Sequence, residues 1–312
     1  MNIKELSRDY IRCFEEIHEK YQFMREKAKK VSSRVDSSVF LVGSTISVLK
    51  PYLLDDARCT DKRYLIQPAV RTQQLRNMEI KKESGNCYGS FFFAMGNLSS
   101  YASLQEVFQI TVEFLCEIFH KGNQRFMFRV SSKDGDLMEC CREYEKFCVS
   151  EVDSRPEPYY RHHYGLDEEY IFGRNCNIAV SPTPENEYRD IGNIIVIEKN
   201  GMPFAVELAV GLSPLICHAF GLEHTMKGNI VADLLEMKDV TDYWLGDCLS
   251  VVACLEYEDV KINSSHMQGR LLKRYRKVMD DLCEQKNIPK ESVQELLMKL
   301  KNDYEELLNM LI

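Results

Sequence analysis

The chain has 312 residues, 45% of them hydrophobic and 28% charged, and 48 acidic residues against 40 basic ones give a formal charge of −8. That length allows one large core plus an appendage, the composition excludes disordered and low-complexity architectures, and the acidic balance excludes a surface coated for non-specific nucleic-acid binding while leaving room for one basic face. No run of 18 apolar residues occurs and the N-terminus is charged from the start, so neither a signal peptide nor a membrane span is expected; the chain reads as cytoplasmic, and its twelve scattered cysteines as free thiols.

Leu6, Tyr10, Phe14, Ile17, Tyr21 and Met24 recur at three- and four-residue spacing, which predicts a core-facing amphipathic helix over 2–30. Short apolar runs then predict strands at Val39 to Val42, Tyr64 to Val70, Phe91 to Met95, Phe126 to Val130, Ile194 to Ile197 and Phe204 to Val210. The last two are joined by Lys199-Asn200-Gly201-Met202, and Asn-Gly supplies the positive φ angles of a tight hairpin, so part of the sheet is antiparallel. Ser103 with Glu106 three residues on forms a capping box, opening a helix that carries Val107, Thr111, Phe114, Leu115 and Ile118 and stops at Gly122. Beyond Thr225 no strand is expected. Val293, Leu296, Leu297, Leu300, Tyr304, Leu307, Leu308 and Leu311 trace one stripe of a terminal helix after Pro289, a stripe that needs a partner surface. The expected layout is an α+β body over 1–225 and a helical region over 226–312.

The sequence contains no Walker loop, Rossmann fingerprint, G-x-S-x-G elbow or H-E-x-x-H helix. His162 and His163 are adjacent and cannot share a metal easily, so they read as solvated loop histidines; no metal site is expected from the protein's own ligands. Cys140-Cys141 is too close for a normal disulfide or a zinc pair. The segment from Arg63 to Ser100 is more informative: a strand ending in an arginine, a polar loop over 73–89, then an aromatic strand. Arg71 could grip a phosphate while a phenylalanine of the returning strand stacks on a purine; the alternative is a surface hairpin with its aromatic face in the core.

This hairpin resembles motif 2 of class II aminoacyl-tRNA synthetases, in particular the alanyl-tRNA synthetase catalytic domain. Ala69-Val70-Arg71-Thr72 is followed by 18 residues and then Phe91-Phe92-Phe93-Ala94-Met95-Gly96-Asn97-Leu98-Ser99, where the family has Cys-Val-Arg-Ala and Phe-Phe-Glu-Met-Leu-Gly-Asn-Phe-Ser. In order along the chain, Asp36 to Lys50 occupies the place of motif 1, Tyr188 to Ile195 resembles the family's Glu-Ile-Trp-Asn-Leu-Val strand, and Val206 to Leu212 resembles Val-Asp-Thr-Gly-Met-Gly-Leu. The family's motif 3 ends Gly-Leu-Glu-Arg, whereas the register here gives Gly211-Leu212-Ser213-Pro214, with a second partial match at Gly221-Leu222-Glu223-His224.

The resemblance implies an antiparallel sheet flanked by helices, with the 73–89 loop projecting over a cleft, and a catalytic domain truncated before the family's editing domain. It implies ATP, with Mg2+, as cofactor, and an amino acid activated as its adenylate. Arg71 would hold the α-phosphate, Phe91 or Phe92 would lie on adenine, and Asn77 and His224 would add to the ATP site. Asn193, Glu207 and Gly211 would bind the amino acid, Glu207 taking its ammonium. The helical region takes the place of acceptor-stem helices, so Arg270, Lys273, Arg274 and Lys277, on one side of a helix, would contact tRNA. The acceptor is a tRNA, a carrier protein or a small molecule. Two other readings stay open: a non-catalytic paralogue that binds tRNA or a protein, and a subunit that assembles on another protein, with a homodimer as one form.

Overall fold

The computed structural model describes residues 1–55, 61–83, 88–120, 124–166 and 170–311. One sheet is formed by β1 (Met24–Arg25), β2 (Arg63–Val70), β3 (Phe91–Ser100), β4 (Phe126–Val130), β5 (Val149–Val152), β6 (Arg161–Leu166), β7 (Ile171–Val180), β8 (Arg189–Lys199) and β9 (Met202–Gly211). Its order is β1-β2-β3-β9-β8-β7-β4-β5, with β6 on the outer part of β7. All pairings from β2 across to β4 are antiparallel, and β1 and β5 add to the two ends in parallel. The helices are α1 (Ile3–Lys20), α2 (Ile46–Leu53), α3 (Leu75–Glu79), α4 (Leu104–Ile118), α5 (Gly135–Glu143), α6 (Leu212–Ala219), α7 (Val240–Tyr257), α8 (Met267–Gln285) and α9 (Lys290–Leu311). The fold is therefore α+β, a largely antiparallel sheet flanked by helices, with a helical C-terminal region. No described helix is long and apolar enough to cross a membrane.

Side chains alternate between two unlike faces. Phe91, Phe93 and Met95 of β3, Ile194 and Val196 of β8, and Val206, Leu208 and Val210 of β9 enter one large core with α1, α4 and α6 to α9. The opposite face is covered in part by α2, whose Val48, Leu49 and Leu53 meet Leu65, Leu98, Ile195, Ile197 and Ala205 in a smaller core. The rest of that face is open.

The hairpin expected at Asn200-Gly201 is present, both residues having positive φ (54° and 74°), and joins β8 to β9. Elsewhere the chain departs from its pattern. The first helix stops at Lys20 rather than near residue 30: Gln22 takes a φ of 62°, the Phe23 N–H turns back to the His18 carbonyl, and Met24 lies in β1. Val39 to Val42 is not a strand: the Val39 N–H turns back to the Asp36 carbonyl and Val42 bonds singly to Val31 and Val70 rather than in a ladder, while Leu41 enters the large core, Val42 the small one and Phe40 is exposed. The Ser103 side chain makes no cap bond, since Glu106 pairs with Lys62 at 2.6 Å instead; Gly122 lies outside the described residues. Tyr88 and Gly89 line the cleft, but the other described part of the 73–89 segment, residues 74–83, does not project over it. It forms α3, which buries Leu75 and Met78 and is tied to α8 by a two-pronged Arg274–Glu79 pair at 2.7 Å. The terminal stripe has its partner in its own chain: Tyr304 of α9 packs edge-on against Phe91 (5.8 Å) and Tyr257 (5.1 Å), so covering it requires no second copy.

Two distant parts of the chain meet at Asp247 of α7. This buried carboxylate accepts the Ser90 N–H (2.6 Å), the Ser90 hydroxyl (2.7 Å) and the Phe91 N–H (3.3 Å), and Tyr275 of α8 donates to the same hydroxyl at 2.9 Å. Asp247→Ala should therefore lower stability by about 2–4 kcal/mol, since it strands three buried donors at once. A urea midpoint shift at unchanged slope checks this; a loss under about 1 kcal/mol would show that water replaces the carboxylate.

Candidate functional site

On the open part of the second face lies a cavity of about 330 Å³. Its floor is shallow because the central strands carry small residues there: Ala94 on β3, Ala209 and Gly211 on β9, Gly192 on β8. Gly96 next to them could not be larger, for a Cβ would stand 2.4 Å from the Leu208 carbonyl oxygen and 2.7 Å from Thr45 Oγ1.

Arg71 enters from the end of β2. Its N–H bonds the Ser90 carbonyl and its Nε donates to the Gly43 carbonyl, both at 2.9 Å, while its guanidinium lies 5.3 Å from the centre of the Phe92 ring. Arg71 is exposed on the cavity side, and desolvation by the neighbouring protein lowers its pKa, against which the Glu207 carboxylate acts; an arginine still remains charged at neutral pH. The strand pleat separates the two candidate aromatics. Phe92 faces the cavity, whereas the Phe91 ring turns into the core against Phe93 (5.6 Å) and Tyr304, so Phe91 cannot be the stacking residue.

Glu207 of β9 is 2% exposed and accepts a 2.7 Å bond from the Tyr164 hydroxyl of β6. Burial pushes its pKa up to about 7, with the Tyr164 bond and the Arg71 charge opposing. Beside it, His162 is held near a pKa of about 4, first by burial and then by Arg71 and His163, and is neutral. His162 is thus part of the cavity wall on β6 rather than a solvated loop residue. Asn193 and Gly211 also line the cavity, as do Asn177 and Ser44, Thr45 and Ile46 at the start of α2. Asp190 reaches its rim already neutralised, bonded by Arg129 and by the Tyr159 hydroxyl at 2.7 Å. A second cavity of about 440 Å³, containing the Asp36–Lys50 pair, adjoins the first and shares Arg71, His162, Ser44 and Ile46 with it.

Two expected site residues are elsewhere. Asn77 is on α3, where its amide donates to Gln74 at 3.1 Å, outside the cavity. His224 stacks flat on Tyr243 (4.2 Å) and its Nδ1 accepts the Met226 N–H; burial lowers its pKa to about 4, so it offers neither position nor charge for a phosphate. Pro214, in the register of the family's motif 3 arginine, lines the cavity. Arg270, Lys273, Arg274 and Lys277 do share the exposed side of α8, though Arg274 is engaged by Glu79. Among the described residues no three histidine, cysteine or carboxylate side chains converge on a metal position, and the ten described cysteines are free.

Tyr164, His162, Asn177 and Asp247 were not expected in these roles. A period-two reading of Arg161-His162-His163-Tyr164 would have put His162 and Tyr164 on one face; Asp247 carries no local signal.

No family model matches the chain, and no curated protein does. Among solved structures, it is similar to asparaginyl-tRNA synthetase from Pyrococcus horikoshii complexed with asparaginyl-adenylate (12% identity, TM-score 0.44, 73% of this chain and 67% of that one). It is also similar to apo histidyl-tRNA synthetase from S. aureus (14%, 0.41, 70% and 67%) and to aspartyl-tRNA synthetase from Entamoeba histolytica (10%, 0.44, 73% and 57%). The chain spans 57 to 67% of the length of these three.

The buried state of Glu207 has a measurable consequence. The native carboxyl keeps its proton up to about pH 7 while the unfolded one releases it near 4.5. Between those values the native state binds more protons at this group, so the contribution of Glu207 is greatest below pH 4.5 and falls as pH rises to 7, by about 3 kcal/mol. Glu207→Gln keeps an acceptor for Tyr164 and should be the more stable protein at pH 8 but not at pH 4, as read from urea unfolding at the two pH values. Identical pH profiles for the two proteins would show that Glu207 is hydrated.

Proposed function

We propose that this chain activates an amino acid with ATP as an aminoacyl adenylate and passes it to a tRNA, a carrier protein or a small molecule. The observation that carries this reading is the pairing of Arg71, over the Phe92 ring, with the buried Glu207 across one cavity: a cation and an anion that attract without an ion pair between them among the described residues. An amino acid carries the complementary charges. Its ammonium pairs with Glu207, which the bound cation converts to the carboxylate; its carboxylate is directed toward Arg71, and adenine lies on Phe92. A carboxylate oxygen then bonds to the α-phosphorus as the bond to pyrophosphate breaks, and the terminal nitrogens of Arg71 meet the charge that develops on the phosphoryl oxygens.

Magnesium fits this donor set as part of the nucleotide, held by phosphate oxygens and water, since Asp190 is occupied by Arg129 and Glu207 faces the ammonium. A second reading, a paralogue that binds these ligands without chemistry, is favoured by Pro214 and by the position of His224, which leave no cation for the γ-phosphate on that side among the described residues.

Arg71→Ala should cost about 3–4 kcal/mol of transition-state stabilisation, a loss of about 100- to 1000-fold in ATP–pyrophosphate exchange. Unchanged exchange would make the arginine structural, and no exchange by the unaltered protein with any amino acid would select the non-catalytic reading. For a tRNA acceptor, the free cations of α8 make binding salt-sensitive, with a log–log slope reduced by about one for each phosphate contact removed. Charge reversal at Arg270 and Lys273 should lower both affinity and slope in a fluorescence titration; an unaltered titration would point to a carrier protein or small molecule.

A further inference from the structure

Three polar groups at the cavity have no protein partner among the described residues. Thr45 is fully buried, and its Oγ1 is unbonded. Asn177, 7% exposed, gives its Nδ2 hydrogen to the Tyr159 carbonyl at 3.3 Å, which leaves its Oδ1 without a donor. Asn193 makes no side-chain hydrogen bond and stands directly opposite Asn177 in the β7–β8 ladder. The two asparagines lie on the cavity face, one side-chain step of about 7 Å along β8 from the Ile195–Glu207 pair. A polar group that a ligand buries without a partner costs about 1–3 kcal/mol, and an aliphatic ligand would leave Asn177 Oδ1 and the half-buried Asn193 carboxamide so.

The charges narrow the ligand further. Arg71 and Glu207 are taken by the phosphate and the ammonium, Asp190 is already neutralised by Arg129, and His162 is enclosed and uncharged. Among the described residues that line the cavity, no charge remains for a charged side chain. Resting on the adenylate reading above, we infer that the amino acid bound here has an uncharged, hydrogen-bonding side chain, a carboxamide or a hydroxyl, held by Asn177 and Asn193, and is not alanine or another aliphatic residue.

The test uses the full chain and the non-hydrolysable aminoacyl-sulfamoyl adenosines of asparagine, threonine, alanine and valine in calorimetric titrations, alongside ATP–pyrophosphate exchange with the same four amino acids. The asparagine or threonine analogue should bind at least about 100-fold more tightly than the other two, the discrimination expected when a site's polar groups go unpaired. Which of the two is preferred separates the carboxamide from the hydroxyl. Asn177→Leu should reduce that preference tenfold or more, and Asn193→Ala should do the same should the first variant fold poorly. Equal or tighter binding of the alanine or valine analogue overturns the inference and leaves the adenylate reading standing. Binding of a polar analogue without exchange supports the inference and overturns adenylation alone; binding of none of the four overturns both.

Discussion

The site depends on one buried carboxylate that is not in it. Asp247 stands 157 residues beyond Ser90 in the chain, yet it receives the N–H of Ser90, just before β3, and that of Phe91, its first residue. The Ser90 carbonyl in turn accepts the N–H of Arg71, so one anion fixes the ends of both strands that carry Arg71 and Phe92. Tyr275, the Thr225 hydroxyl on Gly89 and the Asn229 amide on Phe91 reinforce the same three residues. No cation pairs with Asp247 among the described residues, and burial raises its pKa to about 6; three donors instead of a countercharge hold it, which is how a buried anion is made tolerable. The C-terminal helices therefore do more than cover the sheet: they set the position of Arg71.

The second constraint is the two-residue period of the strands. Phe91, Phe93 and Met95 of β3, Ile194 and Val196 of β8, and Val206, Leu208 and Val210 of β9 are large apolar side chains that face the helices. The opposite positions change character along each strand. Near Leu98, Ile197 and Ala205 they are apolar and lie under α2; toward Ala94, Asn193 and Ala209 they become small or polar, and there the cavity opens. Glu207 and Tyr164 sit at this boundary, which explains why the carboxylate is both nearly inaccessible and next to open space.

How far this was legible in the amino-acid order follows from the range of the forces involved. The apolar runs of β2, β3, β4, β8 and β9 and the Asn200-Gly201 turn are local patterns, and they reappear where local physics puts them. β6 and β7 are not: Arg161 to Leu166 and Ile171 to Val180 mix charges, glycine and asparagine, because one of their faces lines a cavity or carries the Arg174–Asp136 and Arg174–Glu198 pairs. A strand that serves a site loses the alternation that identifies a strand. The same holds for single residues. Arg71, Glu207 and Asn193 stood in a segment order that made them candidates, whereas His224 was chosen by spacing alone, and a tyrosine 19 residues away decides its orientation. The choice between Phe91 and Phe92 needed only the pleat, once the strand's inner face was known.

The cavity also runs against folding. An open sheet face beside a well-packed core could be closed by extending the apolar set of α2 over Ala94 and Ala209, yet that area holds a carboxylate that burial pushes toward neutrality, a threonine oxygen without a donor and asparagines short of partners. Each of these lowers stability relative to an apolar residue of the same size. Their defects are of different kinds, a missing cation, missing donors and a missing anion at Arg71, and they converge on one volume of about 330 Å³. On the proposed reading, a single zwitterionic, phosphate-bearing ligand with polar arms would correct all of them together, which is what pre-organisation for such a ligand requires.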